Sequence, residues 1–232
     1  MKPVTPGVFR AYDIRGVVDR DFDADWVRAL GRACGTYFRR KGHSRAVIGH
    51  DCRHSSPAYA RALTEGLCAA GVDAVHLGMV ATLLVYFAIR HLGLGAGVVV
   101  TASHNPPEFN GFKVWCGTTT IHSEAIEELY RLMLAEDYES GNGVASTHDI
   151  TSSYLEALTA DVALTRPVKV VLDGGNGAAG KVCAELLRRA GAEVEELFCE
   201  PDGDFPNHHP DPVVAENNEI GRASCRERVC HR

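Results

Sequence analysis

Apolar positions along this chain recur with two periods that take turns. Between Asp23 and Lys41, the residues Trp26, Val27, Leu30, Cys34, Tyr37 and Phe38 fall three and four apart, the spacing of one buried helix face. Asp23 and Asp25 stand in its first turn and Arg39, Arg40 and Lys41 in its last, and Gly42 closes it. The short run Ala46-Val47-Ile48-Gly49 predicts a strand and leads into a polar loop, His50 to Ser55. Ser56 and Pro57 predict the cap and first turn of a helix running to Gly71. A strand Ala74 to Leu77, a helix from about Thr82 to His91 and a strand Gly97 to Thr101 follow. This alternation predicts helices covering a largely parallel sheet.

The pattern continues with a short strand, Phe112 to Trp115, in which Lys113 interrupts apolar neighbours. Ser123 is placed as the cap of a helix from Glu124 to Glu136, with Leu129, Leu132 and Met133 turned inward. The stretch Ser140 to Thr147 is small, polar and glycine-rich, and is the best linker candidate. Beyond it, Asp149 is expected to cap a helix to about Ala163. Val168 to Leu172 reads as a strand, Asp173 to Gly177 as a turn, Ala178 to Ala190 as a helix and Val194 to Phe198 as a strand. Pro201 to Pro212 is a loop dense in Pro, Asp and His.

The fold class expected is therefore α/β, with two similar three-layer domains whose sheets are largely parallel or mixed, the second truncated. Residues 1–147 form the first domain and 148–218 part of the second. Residues 219–232 carry four arginines and no apolar period, and read as a non-native tail. A basic tail binding a polyanion is the competing reading.

Composition changes this picture little. Apolar residues make up 45% and charged residues 23%, as in ordinary soluble globular proteins. A net charge of -6 gives no reason to expect nucleic acid or an anionic membrane as partner. The longest apolar run, Met79 to Ile89, falls short of the ~18 residues of a spanning helix. No leader pattern opens the chain, so a cytoplasmic location is expected. The eight cysteines contain no C-x-x-C pair and are expected to be buried thiols rather than disulfides or a zinc site.

Candidate chemistry centres on Gly97 to Pro106. A β-branched run stops at Thr101-Ala102-Ser103-His104-Asn105 and then Pro106-Pro107, which predicts a buried strand delivering Ser103 and His104 on a loop. A plain turn with a solvated Ser and His fits the same pattern. Within residues 7–18, Arg10, Asp13 and Arg15 lie among apolar residues. They either pair with one another, or Arg15 faces a cleft and binds an anion. Gly175 to Gly180 has the G-x-G-x-x-G form of a dinucleotide turn, but Asp173 just before it would oppose a pyrophosphate. Zinc held by His208, His209 and a cysteine is disfavoured, because adjacent histidines rarely share one metal. Ser103 and His104, as chain neighbours, do not make a hydrolase dyad. Phosphoryl transfer through Ser103 remains, with Lys113, Arg15 and His104 as local electrostatic help.

Six motifs in order resemble the α-D-phosphohexomutase family, in its phosphomannomutase/phosphoglucomutase branch. They are Phe9-Arg-Ala-Tyr-Asp-Ile-Arg-Gly16, Asp51-x-Arg53-x-Ser55-Ser56-Pro57, Thr101-Ala-Ser-His-Asn-Pro106, Asn110-Gly-Phe-Lys-Val114, Asp173-Gly-Gly-Asn-Gly177 and Phe205-Pro-Asn-His-His-Pro-Asp-Pro212. The resemblance implies that Ser103 is a catalytic phosphoserine that also contributes an oxygen to magnesium. It implies a hexose 1-phosphate to hexose 6-phosphate interconversion through a hexose 1,6-bisphosphate. It places Tyr12, Arg15 and Asn105 on the substrate side and His104 and Lys113 at the phosphate, with Lys113 helping proton transfer. The partner is then mannose or glucose phosphate, and the protein a monomer or dimer.

Two departures stand out. His50 and Cys52 differ from the usual residues around Asp51, so no function is carried onto that loop. The family's Asp-Gly-Asp magnesium loop and its third and fourth domains do not occur in this sequence. Asp202-Gly203-Asp204 lies at a different, earlier position of the family pattern. The chain is expected to be an N-terminal half, inactive alone. A non-catalytic sugar-phosphate binding module and a dinucleotide-binding protein are the alternatives.

Overall fold

The computed structural model describes residues 1–160, 162–211, 213–217 and 219. Two units emerge: residues 1–102 together with 108–149, and residues 103–107 together with the chain from Ile150 onward.

The first unit holds a seven-stranded sheet. In chain order its elements are β1 (Ile14–Val17), α1 (Ala24–Arg40), β2 (Arg45–His50), α2 (Ser56–Ala69), β3 (Asp73–Met79), α3 (Thr82–His91) and β4 (Ala96–Val100). β5 (Phe109–Cys116), β6 (Thr119–Thr120), α4 (Glu124–Ala135) and β7 (Ala145–Thr147) complete it. The strand order is β1-β5-β4-β2-β3-β7, with β6 beside β5. Helical crossovers α2 and α3 join β2, β3 and β4, which makes that half parallel. β5 returns from β4 after a short loop and is antiparallel to it, as β1 is to β5. The sheet is thus mixed.

Strand alternation sorts its two faces. Ala46, Ile48, Val98, Val100 and Phe112 join the core formed with α1, α2 and α4. The alternate positions, including Gly49 and Gly97, lie against Val85 and Ile89 of α3 on the other face. Helices on both faces of one sheet give three layers. Phe22 sits at the centre of an aromatic cluster, its ring 5.1 Å from Trp26, 5.7 Å from Phe112 and 5.8 Å from Tyr59.

Local capping departs from the expected chemistry in three places. Asp23 caps α1 by accepting from Trp26 N–H at 2.8 Å, as its position suggests. Ser56, expected as a cap, is the first residue of α2; Ser55 holds the cap position, and the Ser56 hydroxyl turns to Asp51. Ser123 does precede α4, but its side chain makes no cap bond. α5 (Thr151–Thr159) starts after Ile150 rather than Asp149. The glycine-rich linker candidate ends in β7, which pairs in parallel with β3.

In the second unit, β8 (Val168–Asp173), α6 (Gly180–Arg189) and β9 (Ala192–Leu197) form a parallel strand-helix-strand unit. α5 packs beside α6. The expected non-native tail lies outside the described residues except for Glu219. Cys225 and Cys230 lie there too; the other six cysteines form no disulfide among the described residues. No helix among the described residues is long and apolar enough to cross a membrane.

Candidate functional site

β4 is buried at all five positions, and its small and β-branched residues suit a strand covered on both faces. Ala102 is still buried, whereas Ser103 and His104 are exposed. Ser103 takes φ 57°, a left-handed conformation that an L-residue adopts only when its surroundings impose it. Its Oγ lies 3.5 Å from His104 Nδ1, beyond the range of a strong hydrogen bond. Asn105 follows, half-buried, and the chain re-enters the sheet at β5.

In the first unit, β1 and β5 assemble a compact charge cluster. Their antiparallel register sets Ile14 opposite Phe112 and Arg15 opposite Gly111. This close approach requires glycine, because a Cβ at Gly111 would fall 2.5 Å from the Ile14 carbonyl oxygen. Asp13, 8% exposed, accepts a hydrogen bond from Arg15 Nη2 and another from Lys113 Nζ at 3.4 Å. One carboxylate therefore holds two cations. Of the two readings of the Arg10 to Arg15 stretch, the pairing one is present between Asp13 and Arg15. Tyr12 stands apart, 76% exposed, its ring 6.5 Å from that of His122.

The loop after β2, onto which no function was carried from the sequence, holds a polar network around a buried arginine. Arg53 is 1% exposed. Its Nε donates to Asp51 at 3.1 Å and its Nη1 to the Phe109 carbonyl at 3.0 Å. Burial draws the guanidinium below the usual arginine range while Asp51 works in the other direction. Asn110, fully buried, donates through Nδ2 to Ser55 Oγ at 2.7 Å and to Ser56 Oγ at 2.9 Å. Arg53 and Asn110 were given no role from the sequence, whereas Asp13 was read there as a pairing partner of the neighbouring arginines. The available signal was the placement of charged and amide groups beside apolar strand ends, where burial demands a partner.

In the second unit, the glycine-rich turn is organised around Asp173. Its Oδ1 accepts from Gly175 N–H at 2.9 Å, and both its oxygens lie 3.1 Å from His208 Nε2. The other ring nitrogen of His208 is 3.1 Å from the His209 carbonyl. A carbonyl and a carboxylate both call for N–H donors, so the arrangement suits an imidazolium. Burial alone would lower the His208 pKa, but the His209 carbonyl and then Asp173 outweigh it, and the net shift is upward. These contacts oppose two alternatives. A carboxylate at the turn repels a dinucleotide pyrophosphate, and both His208 nitrogens have partners other than a zinc ion.

Residues 6–140 match the phosphoglucomutase/phosphomannomutase alpha/beta/alpha domain I, and residues 152–226 match domain II of the same family. A phosphoglucomutase of Neisseria gonorrhoeae is 39% identical over 94% of this chain and 48% of its own length. A phosphomannomutase/phosphoglucomutase of Pseudomonas aeruginosa is 40% identical over 93% of this chain and 47% of its own. A crystal structure of a phosphoglucomutase/phosphomannomutase family protein from Burkholderia thailandensis superposes with TM-score 0.92 at 41% identity. That match covers 98% of this chain and 51% of the other. The chain spans about half the length of the curated relatives it matches.

Proposed function

Because the chain belongs to the phosphoglucomutase/phosphomannomutase family, we propose that it is the phosphoryl-carrying part of a phosphohexomutase, with Ser103 as the carrier. Residues 1–147 and 148–218 are then its first domain and part of its second. The observation that carries the reading is Ser103 itself, exposed and in a left-handed conformation just beyond a fully buried strand. A rigid strand delivering a hydroxyl to a loop tip fits a group that must be phosphorylated and must meet a bulky sugar phosphate.

In the transfer, the oxygen of a hexose monophosphate hydroxyl bonds to phosphorus as the bond from phosphorus to Ser103 Oγ breaks. The hydroxyl proton ends on the departing Ser103 Oγ, with Lys113 as the assigned helper of that proton transfer. The resulting hexose 1,6-bisphosphate returns its other phosphoryl group to Ser103 after reorienting. Arg15, Lys113 and His104 offset charge on the phosphoryl oxygens, and Asn105 and Tyr12 are assigned to the sugar. The substrate is mannose or glucose phosphate. Magnesium, when bound, would neutralise the phosphoryl oxygens. It takes six oxygen ligands, and of the groups this reading assigns to it the chain supplies one, on Ser103. One oxygen does not make such a site, so no step is derived through the ion.

Incubation with glucose 1,6-bisphosphate, followed by intact mass and peptide mapping, tests the assignment. One phosphoryl group on Ser103, lost in Ser103→Ala, is the expected result. Phosphate on another residue, or none, would sink the carrier role.

A further inference from the structure

Both ends of the Ser103 loop run into the polar network around Arg53 in the first unit. On the upstream side, Asp51 N–H donates to the Val100 carbonyl at 3.0 Å, fixing the end of β4. On the downstream side, Arg53 Nη1 binds the carbonyl of Phe109, the first residue of β5. Thr101 N–H donates to the Gly111 carbonyl at 2.8 Å and ties the two ends together. Asn110 completes the frame: its Oδ1 accepts from Gly111 N–H at 2.8 Å while its amide holds Ser55 and Ser56. Asp51 gathers the rest, accepting from Arg53 N–H and Nε at 3.1 Å each and from Ser56 Oγ at 2.5 Å.

A guanidinium this deeply buried is a poor means of stabilising a fold, because desolvation offsets most of what its partner returns. What Arg53 does supply is direction. Its planar fork spans a carboxylate and a main-chain carbonyl at fixed angles, which neither an apolar side chain nor an ammonium reproduces. Asn110 likewise joins the start of β5 to the start of α2 through groups that cannot rotate apart without leaving buried atoms unpaired.

We propose that Arg53 and Asn110 are positioning residues for phosphoryl transfer. By locking Val100–Thr101 and Phe109–Gly111 in place, they hold the five-residue span 103–107 at one end-to-end distance and impose the left-handed backbone of Ser103. The inference rests on the phosphoserine reading. It adds that the geometry of the carrier is set by residues that never meet the sugar.

Arg53→Lys keeps the charge and loses the fork, and Asn110→Ser guards against a poorly folding arginine variant. Two readouts are taken on the whole chain. One is single-turnover phosphorylation of Ser103 by glucose 1,6-bisphosphate, with rate followed against concentration. The other is native-state cleavage by a glutamate-specific protease after Glu108, an exposed residue at the loop's end. Both variants are expected to lower the saturating rate by about 10- to 100-fold while the half-saturating concentration moves less than about twofold. Cleavage after Glu108 should rise about fivefold or more, with other sites unchanged, as a local opening of the loop would produce.

Wild-type rates and wild-type protection at Glu108 in a folded variant would overturn the proposal. So would a uniform gain in cleavage along the chain, which would mark a merely structural role. If the wild-type protein accepts no phosphoryl group, the phosphoserine reading fails while Glu108 protection still decides whether these residues position the loop.

Discussion

β4 and β8 have the same place in their local plans, each a strand that runs into a polar turn, yet their surroundings differ. β4 is buried at every position between β2 and β5. β8 is only half-buried along most of its length, and among the described residues it pairs with β9 alone. The turns differ accordingly. The ends of the Ser103 loop are held by main-chain bonds and by an arginine-aspartate pair whose guanidinium is buried. The Asp173 turn is held by a histidine near the surface and by Asn176, whose side chain links the Glu200 carbonyl to Asn207. Anchoring by a buried arginine is expected to leave the first turn insensitive to pH, whereas an anchoring histidine is expected to make the second responsive.

The largest test of this contrast is truncation of the two cores. Phe22→Ala removes the ring at the centre of the aromatic cluster and is expected to cost about 3–5 kcal/mol. Leu155→Ala, at one of the few buried apolar side chains of the second unit, should cost about 2 kcal/mol, because a thinner surround relaxes into the space. Amide exchange in β4 and in α6 measures the two losses separately. Equal losses would erase the contrast.

A smaller test concerns the contact between α1 and α2, where the two backbones nearly touch. A Cβ at Gly66 would fall 2.1 Å from the Arg28 carbonyl oxygen and 2.8 Å from Arg32 N. Gly66→Ala should therefore destabilise by about 1–3 kcal/mol, although alanine favours a helix by about 1 kcal/mol over glycine. A thermal melt decides the sign. A raised melting temperature would show that the helices can separate and that the first unit is less tightly packed than β4 suggests.

What was legible in the sequence follows the same division. α1 and α3 could be read almost to the residue, because apolar periodicity and end charges act locally and agree. β5 was read as half its length: Asn110, Gly111 and Lys113 break the alternation for reasons that reside in β1, α2 and Asp13. β7 was missed because its three residues are all exposed and are held only by main-chain pairing to β3, which leaves no side-chain signal. The Ser103 loop was visible as a strand that stops abruptly. Its frame was not, since Arg53 and Phe109 meet across 56 residues of chain. Motif order identified the family, while the roles of Arg53 and Asn110 needed the fold.

The smallest expected effect is the pH response of the Asp173 turn. The His208 pKa is raised in the folded state, so its contribution is fully present below the unfolded value of about 6.5 and is lost as pH rises through the folded value. The turn should therefore loosen on the alkaline side of about pH 6.5, by up to about 1 kcal/mol, the scale of a single ion pair near the surface. Amide exchange across Gly174 to Gly177, corrected for the intrinsic rate, should report this from about pH 6 to about pH 8. His208→Gln keeps a donor for Asp173 but cannot carry the charge, so it should start looser at low pH and show a flat profile. The Val100–Thr101 and Gly111 amides should keep a flat corrected profile throughout, because the bonds tying this junction together end on no histidine side chain. A pH dependence there equal to that at Asp173 would mean that both turns share one titrating opening, and the contrast between buried and polar anchoring would fail.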